Sequence, residues 1–265
     1  MSIAATLDTL PLWSAPFGLR LLDEATGQPA ARVLDIGCGT GFPAIELAHR
    51  FGGATLVVGL DPWLAALRAA GEKIRATEAV NAVALGARCE SLPFRDASFD
   101  LIVSNNGLNN VDDLAASLRE CARVAEPGCR ILFTMNTAAT MREFYDALRE
   151  TLLQRALPDA VRRMDAHIAS KRPDVALVCD RFREAGFEAL RAHPDSFTMR
   201  YRDGSAFFSS HLVRLAFLPS WRLLLPGAQA ADIMNVVETR LNAAALREGS
   251  LAMTIPFVLI EGTRR

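Results

Sequence analysis

Five short stretches of this sequence gather side chains able to hold or act on a small ligand. The first is Val33-Leu34-Asp35-Ile36-Gly37-Cys38-Gly39-Thr40-Gly41, a carboxylate followed by three glycines at alternate positions. Glycine has no Cβ, so the backbone can pass close to a ligand and turn its N–H groups toward it. A helix expected from Thr40 onward puts those groups near a positive helix end. The second stretch is Val57-Val58-Gly59-Leu60-Asp61, followed by Pro62 and Trp63. The third is Cys89-Glu90-Ser91-Leu92-Pro93-Phe94, and the fourth is Ser104-Asn105-Asn106-Gly107-Leu108-Asn109-Asn110. The fifth, Phe207-Phe208-Ser209-Ser210-His211, sets an imidazole among aromatic residues.

The spacing of the first stretch decides between ligands. A dinucleotide loop reads G-x-G-x-x-G and carries pyrophosphate on a helix N-terminus. Here the third glycine comes one residue early, and Asp35 stands just before the loop. A carboxylate there repels a pyrophosphate and attracts a cation. No G-x-x-x-x-G-K-[ST] phosphate loop occurs in the chain. The expected ligand is therefore a nucleoside carrying positive charge in place of phosphates, and S-adenosylmethionine meets that description. Asp61 is placed to accept hydrogen bonds from ribose hydroxyls, or else to cap the helix that starts at Pro62. Trp63 either lies against the adenine or packs its helix. The turn at Cys89–Ser91 can read the adenine edge with backbone N–H groups and a polar side chain. The amides of Asn105 and Asn106 are expected near the reacting end of the ligand, against the plain alternative of a turn.

These residues need a scaffold, and the periodicity supplies one. Apolar runs at Arg32–Ile36, Thr55–Leu60, Val83–Cys89, Phe99–Ser104 and Arg130–Met135 read as parallel strands covered on both faces. Helices are expected at Phe42–Phe51, Leu64–Glu78 and Asp112–Ala125, with Asp112 as the N-cap of the third. Pro127-Gly128 is expected to stop that helix. The alternation describes a doubly wound α/β sheet with its ligand at the carboxyl ends of the strands. After Met135 the pattern turns helical, at Thr140–Ala156, Ala160–Ala169, Pro173–Ala185, Ala206–Phe217 and Ala228–Ala245. Phe197–Tyr201 and Leu251–Glu261 alternate like strands.

Composition narrows the function classes. The chain has 265 residues, 51% of them hydrophobic, enough for one large core with additions. Its net charge of −1 gives no overall attraction for nucleic acid or an acidic membrane. The five cysteines, Cys38, Cys89, Cys121, Cys129 and Cys179, show no C-x-x-C spacing, so neither a disulfide framework nor a metal site is expected. Residues 1–12 lack the basic start and apolar run of a signal peptide. Leu251–Ile260 is too short to span a bilayer. A cytoplasmic protein with reduced thiols and no membrane span is expected. Leu12–Gly18 is too apolar for a free tail, and should cover the ligand or pack on the sheet.

With these residues in hand, the chain resembles the class I S-adenosylmethionine-dependent methyltransferases. Within that class it is similar to the type 11 group, which includes the ubiquinone/menaquinone-biosynthesis methyltransferases. The resemblance rests on Leu34–Gly41, the strand ending in Asp61, Glu90–Phe94, Ser98-Phe99-Asp100, and Arg123-Val124 through Pro127-Gly128, and covers residues 30–136. It implies a Rossmann-like, seven-stranded sheet whose last strand runs antiparallel, with Phe197–Tyr201 and Leu251–Glu261 as the last two strands. It implies one domain, 1–265, whose segments 138–172 and 203–249 are helical cap insertions, with the last strand at 250–262. By resemblance Asp35 and the loop glycines Gly37, Gly39 and Gly41 hold the methionine part, Asp61 the ribose, and Cys89, Glu90 and Ser91 the adenine; Cys38, Pro62 and Trp63 complete the expected cofactor-binding set. Arg88 stands where many relatives carry an Asp that contacts the adenine amino group. That assigns the contact to the backbone around Cys89. Asn105 falls at the strand end that faces the methyl group.

Methyl transfer is an in-line displacement at carbon, so the protein must mainly align the acceptor and exclude water. A general base is needed only where the acceptor must lose a proton. Of the four histidines, His211 is the candidate; His49 falls on a core helix, and His167 and His193 lie in or near the cap. The catalytic candidates are therefore His211, Asn105 and Asn106. Trp13, Phe17, Phe144, Tyr145, Phe207, Phe208 and Trp221 offer an apolar lining. The expected activity is methyl transfer to oxygen, nitrogen or carbon of a small-molecule acceptor, with no nucleic acid and no resident metal. A non-catalytic S-adenosylmethionine-binding protein of the same fold is the alternative. The oligomeric state is not encoded legibly.

Overall fold

The computed structural model describes residues 13–265. Met1–Leu12, and with it the signal-peptide expectation, lies outside the described residues. The first element is a helix that the sequence periodicity did not announce, α1 (Ser14–Ala25), which buries Phe17, Leu21, Leu22 and Ala25. The α/β alternation follows: β1 (Arg32–Ile36), α2 (Phe42–Phe51), β2 (Leu56–Asp61), α3 (Leu64–Ala76), β3 (Ala82–Gly86), β4 (Phe99–Asn105), α4 (Leu114–Val124) and β5 (Ala125–Asn136). Then come α5 (Arg142–Gln154), α6 (Pro158–Lys171), α7 (Val175–Glu184) and β6 (Phe187–Tyr201). The chain ends with α8 (Gly204–Ser209), α9 (Leu218–Leu223), α10 (Ala230–Glu248) and β7 (Leu251–Arg264).

Local chemistry sets the element boundaries. α2 begins at Phe42 rather than Thr40; Gly41 takes φ +92 before it, Pro43 opens it, and Gly52 closes it. The N-cap of α4 is Asp113, whose carboxylate accepts the Ala116 N–H at 2.9 Å. Asp112, the residue expected there, instead forms an ion pair with Arg88. α4 ends at Val124, and Pro127-Gly128 falls inside β5, where the pairing with β4 shifts register between Phe99 and Leu101. A bulge absorbs a proline that an inner strand could not pair. The helix expected over Ala206–Phe217 is broken. Ser210 is extended, and its hydroxyl donates to Phe207 O at 2.8 Å. The chain then makes a π turn at Val213–Phe217 before α9, where Pro219 has no N–H to continue an α ladder. β6 is ten residues longer at its start than its alternating tail suggested.

The sheet has seven strands in the order β3-β2-β1-β4-β5-β7-β6, with β7 antiparallel. This is the architecture that the resemblance implied. β1 pairs with β2 and β4, both parallel, and aligns Asp35 with Gly59 on one side and Val103 on the other. Alternate residues separate onto two faces, as strand geometry requires. Val33, Val57, Leu101, Val103 and Leu132 pack with α1 and α2. Leu34, Val58, Ile102, Ile131 and Phe133 pack with α4 and α7. Each such buried apolar side chain contributes about 1.5–3 kcal/mol by transfer from water.

The chain divides into two compact units. Unit 1 holds the described residues through Met135 together with Pro173–Asp195 and Phe257–Arg265. Unit 2 holds Asn136–Arg172 and Ser196–Pro256. The core of unit 2 is aromatic: Phe144 stacks on Trp221 with centroids 3.8 Å apart, and Trp221 Nε1 donates to the Tyr145 hydroxyl at 3.0 Å. Among the described residues, no helix is long and apolar enough to cross a membrane.

The ends of β1 and β4 meet backbone to backbone. A Cβ on Gly107 would lie 2.4 Å from Ile36 O and 2.7 Å from Ser104 Oγ, and one on Gly37 would lie 2.7 Å from Gly107 Cα. No side chain fits that contact. Gly107→Ala should therefore destabilise the protein by about 1–3 kcal/mol through overpacking. Denaturant unfolding would show this as a lower midpoint at an unchanged slope.

Candidate functional site

A cavity of about 290 Å³ opens in unit 1 at the carboxyl ends of β1, β2, β3 and β4. Of the residues singled out from sequence, Gly37, Asp61, Pro62, Cys89, Glu90 and Asn106 line it. Arg88 and Asp112, which the motif reading did not place there, share the wall. Their signal was present only as the departure at Arg88.

The glycine loop does not use its N–H groups as expected. Gly37 and Cys38 both donate to Leu60 O, at 2.8 and 3.1 Å. Gly39 donates to Asp61 Oδ2 at 2.9 Å, and Gly41 to Cys38 O at 2.8 Å. These donors are spent on β2 and on the loop itself, so they are not the cradle that an anion needs. The glycines serve approach instead: Gly39, at φ +54, has nothing within 4 Å of where a Cβ would be. Cys38 points into the core, its Sγ 2.9 Å from where a Cβ on Gly59 would lie. Burial and the Asp35 and Asp61 charges push its thiol far above the ordinary range.

Asp35 is fully buried, and neither of its carboxylate oxygens has a hydrogen-bond partner. Strand alternation puts its side chain on the face of Val33, the side of α1 and α2. Burial first, and the Asp61 charge second, push it up to about 8 from the ordinary 3.8. The Ala44 N–H, in the first turn of α2, pulls weakly the other way. Asp35 does not itself line the cavity; its neighbours Ile36 and Gly37 do. A buried, unpartnered carboxyl close to a ligand cavity favours a cation and disfavours phosphate.

Asp61 is shared between binding and capping. Oδ2 takes the Gly39 N–H, and Oδ1 takes the Trp63 N–H at 2.8 Å, closing the start of α3. A carboxylate has about four acceptor sites, so two remain for hydroxyls in the cavity it lines. The Trp63 side chain is 43% exposed at the start of α3 and is not part of the cavity wall. Glu90 Oε1 accepts the Asp112 and Asp113 N–H groups at 3.0 and 3.3 Å, and Oε2 lies 3.5 Å from Arg88. Glu90 thus anchors the segment after β4 against the turn after β3. Glu120 and Arg123 of α4 brace that turn, through Leu92 N–H at 2.8 Å and the Leu92 and Phe94 carbonyls at 3.0 and 2.8 Å. Ser91 is exposed and stands outside the cavity wall.

The two asparagines divide. Asn105 is buried, with Nδ2 donating to Ser14 O at 3.0 Å and Oδ1 accepting from Thr134 at 2.8 Å. It ties β4 to β5 and to the start of α1. Asn106 takes φ +57, donates its N–H to Thr134 O at 3.0 Å, and presents its residue to the cavity. Ser104 locks the same corner by donating to Ile36 O at 2.8 Å and accepting the Leu108 N–H at 3.0 Å. Trp13–Gly18, expected to cover the ligand or pack, begins α1 against this corner: a Cβ on Gly18 would overlap Phe42 and reach within 3.2 Å of Asn105 Nδ2. The histidines also separate. His49 is exposed, His193 lies 3.4 Å from Glu261, and burial holds His167 below its usual value. His211, in unit 2, has a buried Nε2 with no hydrogen-bond partner.

The S-adenosylmethionine expectation meets this geometry well. Asp35 would supply the negative potential for the ammonium and sulfonium charges, Gly39 the open backbone, Asp61 acceptors for the ribose, and the Cys89–Glu90 wall the adenine end. The bound molecule would bring an activated methyl group. The linkage of Asp35 can be tested directly. Its folded-state pKa is raised, so the folded protein binds a proton that the unfolded chain has lost between about pH 4 and 8. Stability should fall across that window by about 1.4 kcal/mol per pH unit from this group alone, and level off above it. Asp35→Asn should flatten this slope and raise the melting temperature at pH 8, while weakening S-adenosylhomocysteine binding at least tenfold. Thermal denaturation across pH, with and without that ligand, reads both effects.

Residues 34–133 match the family described as a methyltransferase domain. The ubiquinone/menaquinone biosynthesis C-methyltransferase UbiE of Shewanella frigidimarina is 30% identical over 183 residues, which cover 68% of this chain and 66% of that protein. A demethylmenaquinone methyltransferase of Bacillus cereus is 28% identical over 187 residues, covering 68% of this chain and 78% of that one. Among solved structures, the YcgJ protein of Bacillus subtilis superposes with a TM-score of 0.62 at 19% identity, over 95% of this chain and 99% of its own. The last likeness carries the fold alone. The matched segment spans the glycine loop, the cavity wall and the Asn105 corner, and together with these relatives it places the chain among the class I S-adenosylmethionine-dependent methyltransferases.

Proposed function

We propose that this methyltransferase acts on a small acceptor with an apolar body, and that its residues divide the work between holding the donor and preparing the acceptor. The observation that carries the donor half is the unpartnered, fully buried Asp35 behind a loop in which Gly37, Cys38, Gly39 and Gly41 already spend their N–H groups. That arrangement suits a cationic nucleoside and no phosphate ligand. Asp61 and Glu90 then fix the ribose and the adenine wall. Asn106 is the residue of the β4 corner that meets the ligand, and Asn105 acts by positioning, since its amide already bonds Ser14 and Thr134.

For the acceptor half, the related C-methyltransferase and demethylmenaquinone methyltransferase point to carbon of a quinone precursor. We carry that over as the preferred acceptor type ahead of oxygen or nitrogen. His211 supports the reading because its Nε2 is buried and unclaimed, and so is available to take a proton from the acceptor. Residues 138–172 and 203–249 are read as the helical cap over the acceptor. A cytoplasmic location goes with this reading and is supported by five buried, free cysteines.

Two measurements test it. Tritium from labelled donor should enter a small metabolite from a cell extract in the presence of the protein. Donor binding without transfer into broad extracts would instead favour a non-catalytic binding protein. His211→Asn should lower kcat at least about tenfold with little change in donor affinity.

A further inference from the structure

Outside the cavity of unit 1, the strongest unexplained feature is a buried cation in unit 2. Arg172 is 4% exposed at the end of α6, and its Nε and Nη1 have no hydrogen-bond partner. No ion pair involves it among the described residues. Its guanidinium carbon lies 5.1 Å from the centroid of the Tyr145 ring. The ring is fixed by its hydroxyl, which accepts from Trp221 Nε1, and by the T-shaped contact of Tyr145 with Phe144 at 5.2 Å.

The ring stabilises the positive face but supplies no acceptor for the N–H groups. A buried guanidinium with open donors is costly unless something provides oxygen. With Tyr145 beside the guanidinium carbon, the open donors are Nε and Nη1, which lie in the guanidinium plane and call for oxygen acceptors. Arg in such a setting selects planar oxyanions. His167, farther back on α6, is held below its usual value first by burial and then by the Arg172 and Lys171 charges, which marks surplus positive charge in this region.

We propose that unit 2 contains an acceptor subsite in which Arg172, backed by Tyr145, binds the anionic oxygen of a planar aromatic molecule such as an aryl carboxylate or an ionised phenol. This deepens the methyltransferase reading by naming the class of acceptor, and its binding step is independent of any transfer.

Titration calorimetry on the full chain with 2-naphthoate and its neutral isostere 2-naphthamide tests the subsite. The carboxylate should bind at least tenfold tighter than the amide. Arg172→Met should bring the carboxylate down to the affinity of the amide. Arg172→Lys, which keeps the charge but not the planar fork, should fall between and serves where the Met variant does not fold. Equal binding of the two probes to the wild type overturns the proposal, as does unchanged naphthoate affinity in either variant. S-adenosylhomocysteine titrated into the same wild-type sample reports separately on the donor site. Its failure to bind would count against the methyltransferase reading and leave the naphthoate result to be judged by itself.

Discussion

The cavity of unit 1 depends on one unfavourable group, the Asp35 carboxyl, buried in the middle of the sheet without a hydrogen-bond partner. A charge there is tolerated only if it is protonated or compensated. The surrounding residues keep both options open. The first turn of α2 favours the anion weakly, while burial and Asp61 oppose it strongly. A cation brought to the cavity tips the balance. Binding and the protonation of a buried group are then one equilibrium, and the protein gives up some stability at neutral pH to have it.

The glycine loop does not present its N–H groups to a ligand in the way its glycine spacing suggests. In a phosphate loop the backbone N–H groups are the ligands. Here Gly37, Cys38 and Gly39 spend theirs on Leu60 and Asp61, so the loop is tied down onto β2 before any ligand arrives. What the glycines provide is closeness. Gly37 and Gly107 let the ends of β1 and β4 touch, and Gly39 leaves free space beside the backbone. Asp61 couples these parts, because the same carboxylate that faces the cavity also holds the loop and starts α3.

Much of this was legible in the sequence, and the misses have physical causes. Asp35 and Asp61 stand out because a carboxylate at the end of an apolar strand has no packing reason to be there. The destination of an N–H group carries no such signal, so the loop donors were misassigned. α1 escaped notice because Trp13-Ser14-Ala15-Pro16-Phe17-Gly18 contains Pro and Gly, which mask a helical start. Asp112 and Asp113 are equally good caps on paper, and Arg88 decides between them by pairing with Asp112. Arg172 could not be singled out at all: one arginine before a proline looks like any other until its burial is known.

The most direct test of the account is the proton released when ligand binds. Calorimetric titration of S-adenosylhomocysteine at about pH 6.5, repeated in buffers of different ionisation enthalpy, counts that proton. At this pH the free protein holds Asp35 protonated and the ligand amine is already charged. Binding that ionises Asp35 predicts release of about one proton per site, abolished in Asp35→Asn. Binding of the same ligand with no net proton release in the wild type would contradict it.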